Sequence, residues 1–483
     1  MENQLASSLT SFIKTSWQES QESQESQESI VNKLKEYIKI PCKSPAFDTK
    51  WQENKYLEQS IDLFKNWVES QNIPNLNLEI IKLPNRTPLL YIEILPNNNN
   101  LDTILLYGHL DKQPEMTGWD PDKGPWTPVI TNQKLYGRGG ADDGYALFAA
   151  ITAISSLSKH NLDYPRCVII IEACEESGSY DLPYYVDYLK NKIKEPKLVI
   201  CLDSGCGNYD QFWQTTSLRG NIVGVLDVEL IKQGVHSGIA SGIIPSSFRI
   251  ARQLLSRIEN ELNGEVILQE LYCPIPDQRI SEAKQTAKIL SKSIYSEFPF
   301  YDGGTPVTDD FVELLLNRTW RPQLSITGAG GLPDIGQAGN VLRPKTSLVL
   351  SMRLPPNVNS QQAVTILKQA LETNPPYNAK VTFTINNNSA NGWSAPITEP
   401  WLKSSIDQAS QLAFGKPSAA WGEGGTIPFM AMLGEKFPKA QFVITGVLGP
   451  QSNAHGPNEF LHLPMAEKLT FCVAYIINKF CLN

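Results

Sequence analysis

Apolar positions along the chain repeat with two periods, and the switches between them outline its elements. Ile30, Leu34, Tyr37 and Ile38 recur at helical spacing until Ile40-Pro41 ends the run, which predicts a helix. A second amphipathic helix is predicted over Tyr56 to Val68. Strand-like runs follow at Leu76 to Ile81, Leu89 to Leu95 and Thr103 to Tyr107. Beyond Thr103 the pattern alternates between an Ala-rich helix (Ala146 to Ser158), a strand (Cys167 to Glu172), a helix (Leu182 to Lys192) and a strand (Leu198 to Leu202). Such alternation predicts an α/β layered domain around a largely parallel sheet, in which ligands gather beyond the carboxyl ends of the strands.

The middle of the chain has another rhythm. A strand from Ile222 to Leu230, a helix from Ser247 to Ile258, and runs at Ser347 to Leu354, Ala363 to Leu371 and Val381 to Ile385 suggest a β-α-β-β-α-β order and a compact inserted α+β domain. Gly392 to Pro400 reads as the return crossing. Trp401 to Phe414, Gly422 to Met432, Gln441 to Leu448 and Met465 to Phe480 then resume a helix-strand alternation that completes the first sheet. The expected division is a polar segment over 1–29, a first domain from 30–218 and 389–483, and an insertion over 219–388. Gln-Glu-Ser, repeated four times from Gln18 to Ser29, cannot bury enough to order itself and reads as a solvated linker or an exposed helix extension.

A length of 483 residues suits two domains or one domain with a large insertion. With 41% hydrophobic and 19% charged residues the composition is that of a globular protein. The net charge of -8 offers no footprint for phosphates, so no nucleic-acid partner is expected. The longest apolar runs, such as Cys167 to Ile171, fall far short of the roughly 20 residues that cross a bilayer, so no membrane partner is expected either. The first residues show no basic region followed by an apolar core, and the eight cysteines, with no Cys-x-x-Cys pair, read as reduced core residues. A cytoplasmic location is the expectation.

Three of the five histidines stand in short glycine-flanked motifs: Tyr-Gly-His109-Leu-Asp111, Gly-Val-His236-Ser-Gly and Asn-Ala-His455-Gly-Pro-Asn-Glu. Between the first two lie Gly-Arg-Gly-Gly-Ala-Asp142-Asp143, Glu175-Glu176-Ser-Gly and Leu-Asp203-Ser. His109 and Asp111 are two apart at a strand end and point to the same face, so the carboxylate can accept the second N–H of the imidazole. Asp142 can bridge two cations, or one of Asp142 and Asp143 can cap the following helix. Of Glu175 and Glu176, one can bind metal while the other serves as general base, against a solvated acidic loop as the plain alternative. Asp203 could equally be a turn residue, and His455 a loop histidine. Together, two histidines and three carboxylates suit two borderline metal ions roughly 3.5 to 4 Å apart, with Glu175 taking a proton from water and passing it to the leaving amine.

In combination these motifs resemble the dinuclear-zinc metallopeptidases that include carnosinases and other dipeptidases, glutamate carboxypeptidases and aminoacylases. The resemblance runs from the Tyr-Ile-Lys-Ile-Pro helix near Ile40 to the last helix and is nearest to the dipeptidase branch. It implies a phosphorylase/hydrolase-like catalytic domain with a mostly parallel mixed sheet, plus a ferredoxin-like lid and dimerisation domain. It implies two divalent ions per chain, zinc with manganese or cobalt as alternatives: one ion held by His109, Asp142 and Asp203, the other by Asp142, Glu176 and His455. It further implies Glu175 as general base, Asp111 as the orienting acid, and a cis Asp142-Asp143 peptide.

In the dimeric dipeptidases a lid histidine stabilises the developing oxyanion in the partner's site, and His236 occupies that motif. A core or turn histidine is the plain alternative. Asn340 and Arg353 sit where family members contact the substrate's carbonyl and carboxylate, and Glu423, Gly424, Gly425 and Thr426 resemble a segment that binds its amino end and backbone. Asp203, where carboxypeptidases and acylases usually carry Glu, favours peptides with a free amino terminus. One departure stands out: the usual Asp-Asp-Lys-Gly is Asp142-Asp143-Gly144-Tyr145 here, which removes no ligand but changes the surroundings. The leading expectation is a homodimeric metallodipeptidase acting on short peptides with a free amino terminus. The alternatives are an N-acyl-amino-acid or carbamoyl amidohydrolase of the same fold, and a metal-binding scaffold without activity.

Overall fold

The computed structural model describes residues 2–18, 29–386 and 389–482. Residues 19–28, most of the Gln-Glu-Ser tract, lie outside them. The chain divides into two compact units, one formed by Met1–Thr215, Ala395–Trp421 and Met432–Asn483, the other by Thr216–Ser394 and Gly422–Ala431.

The first unit is built on a mixed sheet whose strands run in the order Leu76–Ile81, Leu89–Ile94, Arg166–Glu172, Thr103–His109, Leu198–Cys201, Gln441–Ile444 and Trp213–Leu218. Its four central strands, from Arg166–Glu172 to Gln441–Ile444, are mutually parallel, and antiparallel strands flank them. Thr103–His109 and Arg166–Glu172 are buried at every position, as central strands covered on both faces must be. The helix Tyr145–Lys159 is buried almost all round and packs against Leu463–Phe480. A small antiparallel sheet of Val129–Thr131, Lys134–Tyr136 and Phe460–His462 lies in the same unit.

The second unit holds a four-stranded antiparallel sheet in the order Gln323–Gly330, Lys345–Leu354, Gly220–Glu229, Lys380–Ile385. Gly220–Glu229 and Lys345–Leu354 alternate buried and half-buried positions without a break, so one face packs on a core shared with the helices Ser247–Leu255 and Ser360–Glu372. In chain order these elements run β-α-β-β-α-β.

Several expectations need correction. The helix expected from Leu182 to Lys192 is two short helices, Leu182–Tyr188 and Lys190–Ile193, although Leu189 and Ile193, four apart, both stay buried. Gly422 to Met432 is not one element: the strand Ala419–Glu423 ends inside it, and the helix Pro428–Lys436 begins there. The helices Glu2–Trp17, Asp277–Leu290 and Phe311–Thr319 have no counterpart in the sequence reading.

Candidate metal centre

His109 closes the strand Thr103–His109, Glu175 and Glu176 follow Arg166–Glu172, and Asp203 follows Leu198–Cys201. Those strands are parallel neighbours, so their carboxyl ends share one edge of the sheet. His455 comes from the loop between Gln441–Ile444, also parallel to this set, and Phe460–His462. Asp142 lies in the turn Gly140–Gly144, and its peptide to Asp143 is cis. Neither aspartate caps the next helix: Gly144 is its N-cap position and no side chain bonds there. Asp143 instead accepts the backbone N–H of His109 at 3.3 Å through Oδ2, and its buried Oδ1 has no hydrogen-bond partner.

Asp142 stands between the two histidines. Its Oδ1 is 3.3 Å from His109 Nε2 and its Oδ2 is 3.0 Å from His455 Nε2. Asp203 Oδ2 is 3.8 Å from His109 Nε2, and Glu176 Oε2 is 3.4 Å from His455 Nε2. Two groups of donor atoms result, each within 4.8 Å of one another: His109, Glu175 and Asp203, and Asp142, Glu176 and His455. The sequence expectation kept Glu175 apart as a base; here its carboxylate falls in the group of His109 and Asp203.

Asp111 fixes the geometry twice. Its backbone carbonyl is 3.1 Å from His109 Nδ1 and its carboxylate 3.5 Å, so Nδ1–H has its acceptors here and Nε2, which faces Asp142, is the nitrogen left for a metal ion. Its two oxygens accept the backbone N–H groups of Glu175, at 3.1 Å, and Glu176, at 3.0 Å. The glutamate turn is thereby tied to the His109 strand. Gln113 Nε2 donates to Glu176 Oε2 at 2.6 Å.

Arg138, inside the glycine-rich turn, anchors the His455 loop. It donates to the carbonyls of His455 at 3.0 Å and Gly456 at 2.9 Å, and pairs with the buried Glu459. His455 is held in the left-handed region at φ 65, which a residue with a Cβ adopts only when its surroundings fix it. The signals for this pair were present in the quoted motifs, Gly-Arg-Gly-Gly and His-Gly-Pro-Asn-Glu, although neither residue was singled out.

The charges are out of balance. Burial, and then the neighbouring Asp203, push the Glu175 carboxyl well above its ordinary value. Burial and Asp142 do the same to Glu176, and burial and Asp203 to Asp143. Burial, then Asp111, pushes Glu172 up to about 7. Burial works against charge on Asp142 as well, yet His109 and His455 outweigh it and hold that carboxyl well below the usual range. Burial pulls both imidazoles down, but Asp111 and Asp142 raise His109 well above its ordinary value, and Asp142 raises His455. Four acids in the two donor groups, with Asp111, Asp143 and Glu172 beside them, face two imidazoles. Imidazole nitrogens and carboxylate oxygens in anionic excess fit divalent ions of borderline softness. His455 keeps 53% of its side chain exposed, which leaves that side of the centre open to solvent.

The other candidate residues belong to the second unit. His236 is exposed, and its Nδ1 accepts the backbone N–H of Gly238 at 3.1 Å; Asn340, also exposed, accepts the N–H of Ser237 through its carbonyl at 2.9 Å. Arg353 Nη1 donates to Thr426 Oγ1 at 3.1 Å, and Thr426 Oγ1 donates to the carbonyl of Arg219 at 2.6 Å. Arg219, not singled out in the sequence, also donates through Nε to the carbonyl of Gly424 at 3.1 Å.

The profile described as Peptidase family M20/M25/M40 matches residues 105–479, a span that holds every residue of both donor groups. The chain belongs to this peptidase family. Among M20 relatives, it is 24% identical over 386 residues to the Cys-Gly metallodipeptidase of Schizosaccharomyces pombe, covering 76% of this chain and 77% of that one. It is 27% identical over 360 residues to the Beta-Ala-His dipeptidase of Rattus norvegicus, covering 71% and 70%. The crystal structure of human carnosine dipeptidase 1 has the same fold, with a TM-score of 0.74 at 20% identity over 99% of both chains.

The structure also accounts for the departure of this M20 chain at Gly144. A Cβ there would lie 2.2 Å from Tyr37 Cε1 and 2.7 Å from the carbonyl oxygen of Gly139. The Tyr37 ring fills the space and leaves no room for a lysine side chain. A buried lysine is nevertheless close by: Lys112 lies over that ring at 3.8 Å and donates to the carbonyls of Tyr37 at 2.8 Å and Ile40 at 2.9 Å.

Proposed function

We propose that this M20 protein is a metal-dependent dipeptidase that hydrolyses dipeptides or short peptides with a free amino terminus. One observation carries the proposal: Asp142 directs one carboxylate oxygen toward each histidine, with further acids beside both. That is the donor arrangement of a two-ion hydrolytic centre. In this reading His109, Asp142 and Asp203 hold one divalent ion, and Asp142, Glu176 and His455 the other, zinc being the expected species. Bound ions of this kind supply Lewis acidity, polarising a carbonyl and lowering the pKa of water.

The chain's own groups do the rest. Glu175, with a carboxyl whose proton affinity is raised by burial, takes a proton from the attacking water and delivers it to the departing amine nitrogen. Asp111 keeps that turn in register through the two backbone N–H groups it accepts. His236, whose Nδ1 is engaged as an acceptor, presents Nε2–H as a donor to a developing oxyanion. Acting there from a partner subunit, it makes the homodimer part of the proposal, with the second unit as the dimerisation and lid domain. Arg353 and Asn340 receive the carboxylate and carbonyl end of the peptide. Eight free cysteines support a reducing, cytoplasmic setting.

The test is to strip the protein with chelator, restore zinc or manganese, and follow free dipeptides and their N-acetylated counterparts by mass spectrometry. Metal-dependent cleavage of the free dipeptides is expected. Cleavage of blocked substrates alone would move the assignment to an amidohydrolase, and cleavage of neither would leave a scaffold.

A further inference from the structure

Three arginines meet within the second unit. Arg219 stands between the strands Trp213–Leu218 and Gly220–Glu229, Arg318 is on the helix Phe311–Thr319, and Arg353 is on the strand Lys345–Leu354. Gly424 lies between the first two: a Cβ on it would be 3.1 Å from both Arg219 Nη2 and Arg318 Cγ. Thr426 joins the first and third, donating to the carbonyl of Arg219 and accepting from Arg353.

Counter-charge is unevenly supplied. Arg318 has Glu423 and Glu297 acting on it. Among the described residues, the charged groups acting on Arg219 are Arg353 and Arg318, and no acid acts on either Arg219 or Arg353. Arg219 is 9% exposed, and its buried Nη1 has no hydrogen-bond partner. Burial, and then those two neighbours, push its guanidinium down to about 9. A buried guanidinium without a carboxylate is held at a large desolvation penalty, and a ligand that brings the missing charge recovers it through paired, charge-assisted hydrogen bonds.

We propose that Arg219 and Arg353, together with Arg318, form a two-charge anion site that selects peptides whose carboxyl-terminal residue carries a second carboxylate. The proposal rests on the dipeptidase reading and narrows its substrate class. A neutral dipeptide brings one carboxylate, at its carboxyl terminus, and two guanidiniums lack an acid. Aspartate and glutamate are the residues whose side chains supply the other.

The experiment compares kcat/KM of the metal-loaded protein for Ala-Glu against Ala-Gln and for Ala-Asp against Ala-Asn, pairs that differ in charge and not in size. The acid is expected to exceed its amide by at least about ten-fold, chiefly through KM. Arg219→Met, checked for folding by circular dichroism, should bring that ratio toward one. A ratio near one in the unaltered protein overturns the proposal, as does a ratio that survives Arg219→Met. If no dipeptide is cleaved, the dipeptidase reading fails by itself, and calorimetry on the unaltered protein decides the site. N-acetylglutamate binding at least about ten-fold tighter than N-acetylglutamine supports the site; equal affinity, or no binding, overturns it.

Discussion

Asp142 and Glu175 carry the proposed chemistry, and their environments separate their roles. Asp142 has an imidazole on each side, whereas the Glu175 turn is tied to Asp111 beside the His109 and Asp203 donors. Glu175→Gln is therefore expected to lower turnover by about 10²- to 10⁴-fold, the usual worth of a positioned general base. Metal content, measured by mass spectrometry of the intact protein, should stay as in the parent; loss of metal would reassign Glu175 as a ligand. Gly144 makes a different claim, about space. Gly144→Ala places a methyl against the Tyr37 ring and the Gly139 carbonyl and should destabilise by about 1–3 kcal/mol, read from the urea midpoint. The ligand-type residues were legible because each sits in or beside a glycine-containing motif, with His109, Glu175, Glu176 and Asp203 at strand ends. Arg138, Glu459 and Arg219 were less so, because a buried charge is recognised by its partner, and the partner is distant in sequence.

Among the elements, the parallel strands were legible from uninterrupted apolar runs and three strands of the second unit from their apolar patterns, whereas Gln323–Gly330, with no buried position, was missed. Asp277–Leu290 was not legible either, because its buried positions include Arg279 and Thr286, and a helix that buries polar side chains has little apolar rhythm. Glu2–Trp17 is a different case. Leu9, Ile13 and Trp17 recur four apart and are almost fully buried, but the polar tract beside them masks a short signal. Trp17 Nε1 donates to Thr470 Oγ1 at 3.2 Å, docking this helix on Leu463–Phe480. Trp17→Ala should lower stability by about 3–5 kcal/mol in denaturant titrations and leave KM unchanged; a stability equal to the parent's would show that the helix contributes nothing to the fold.

Across the whole molecule, the excess of buried carboxylates couples metal, protons and stability. Glu172, pushed up to about 7 from 4.5, holds its proton more tightly folded than unfolded. Its contribution is complete below pH 4.5 and is lost as pH rises through about 7. Glu175, Glu176, Asp143 and His109 are raised as well and act in the same direction, while the window of Asp142 lies below its ordinary 3.8. The metal-stripped protein should therefore lose stability as pH rises through neutrality. Zinc binding should release protons, and the gain in Tm on adding zinc should be larger at about pH 8 than at about pH 6. Calorimetry in buffers of different ionisation enthalpy checks the proton release, and a zinc-induced gain independent of pH would contradict it.

The central claim is a two-ion centre, bridged by Asp142, that cleaves free dipeptides. Its most direct test is to titrate zinc into the chelator-stripped protein and record the initial rate of dipeptide cleavage at each step. The rate should be negligible without metal and reach its plateau at two ions per chain, one for each donor group. Full activity in the stripped protein, or no cleavage at any loading, would contradict the account.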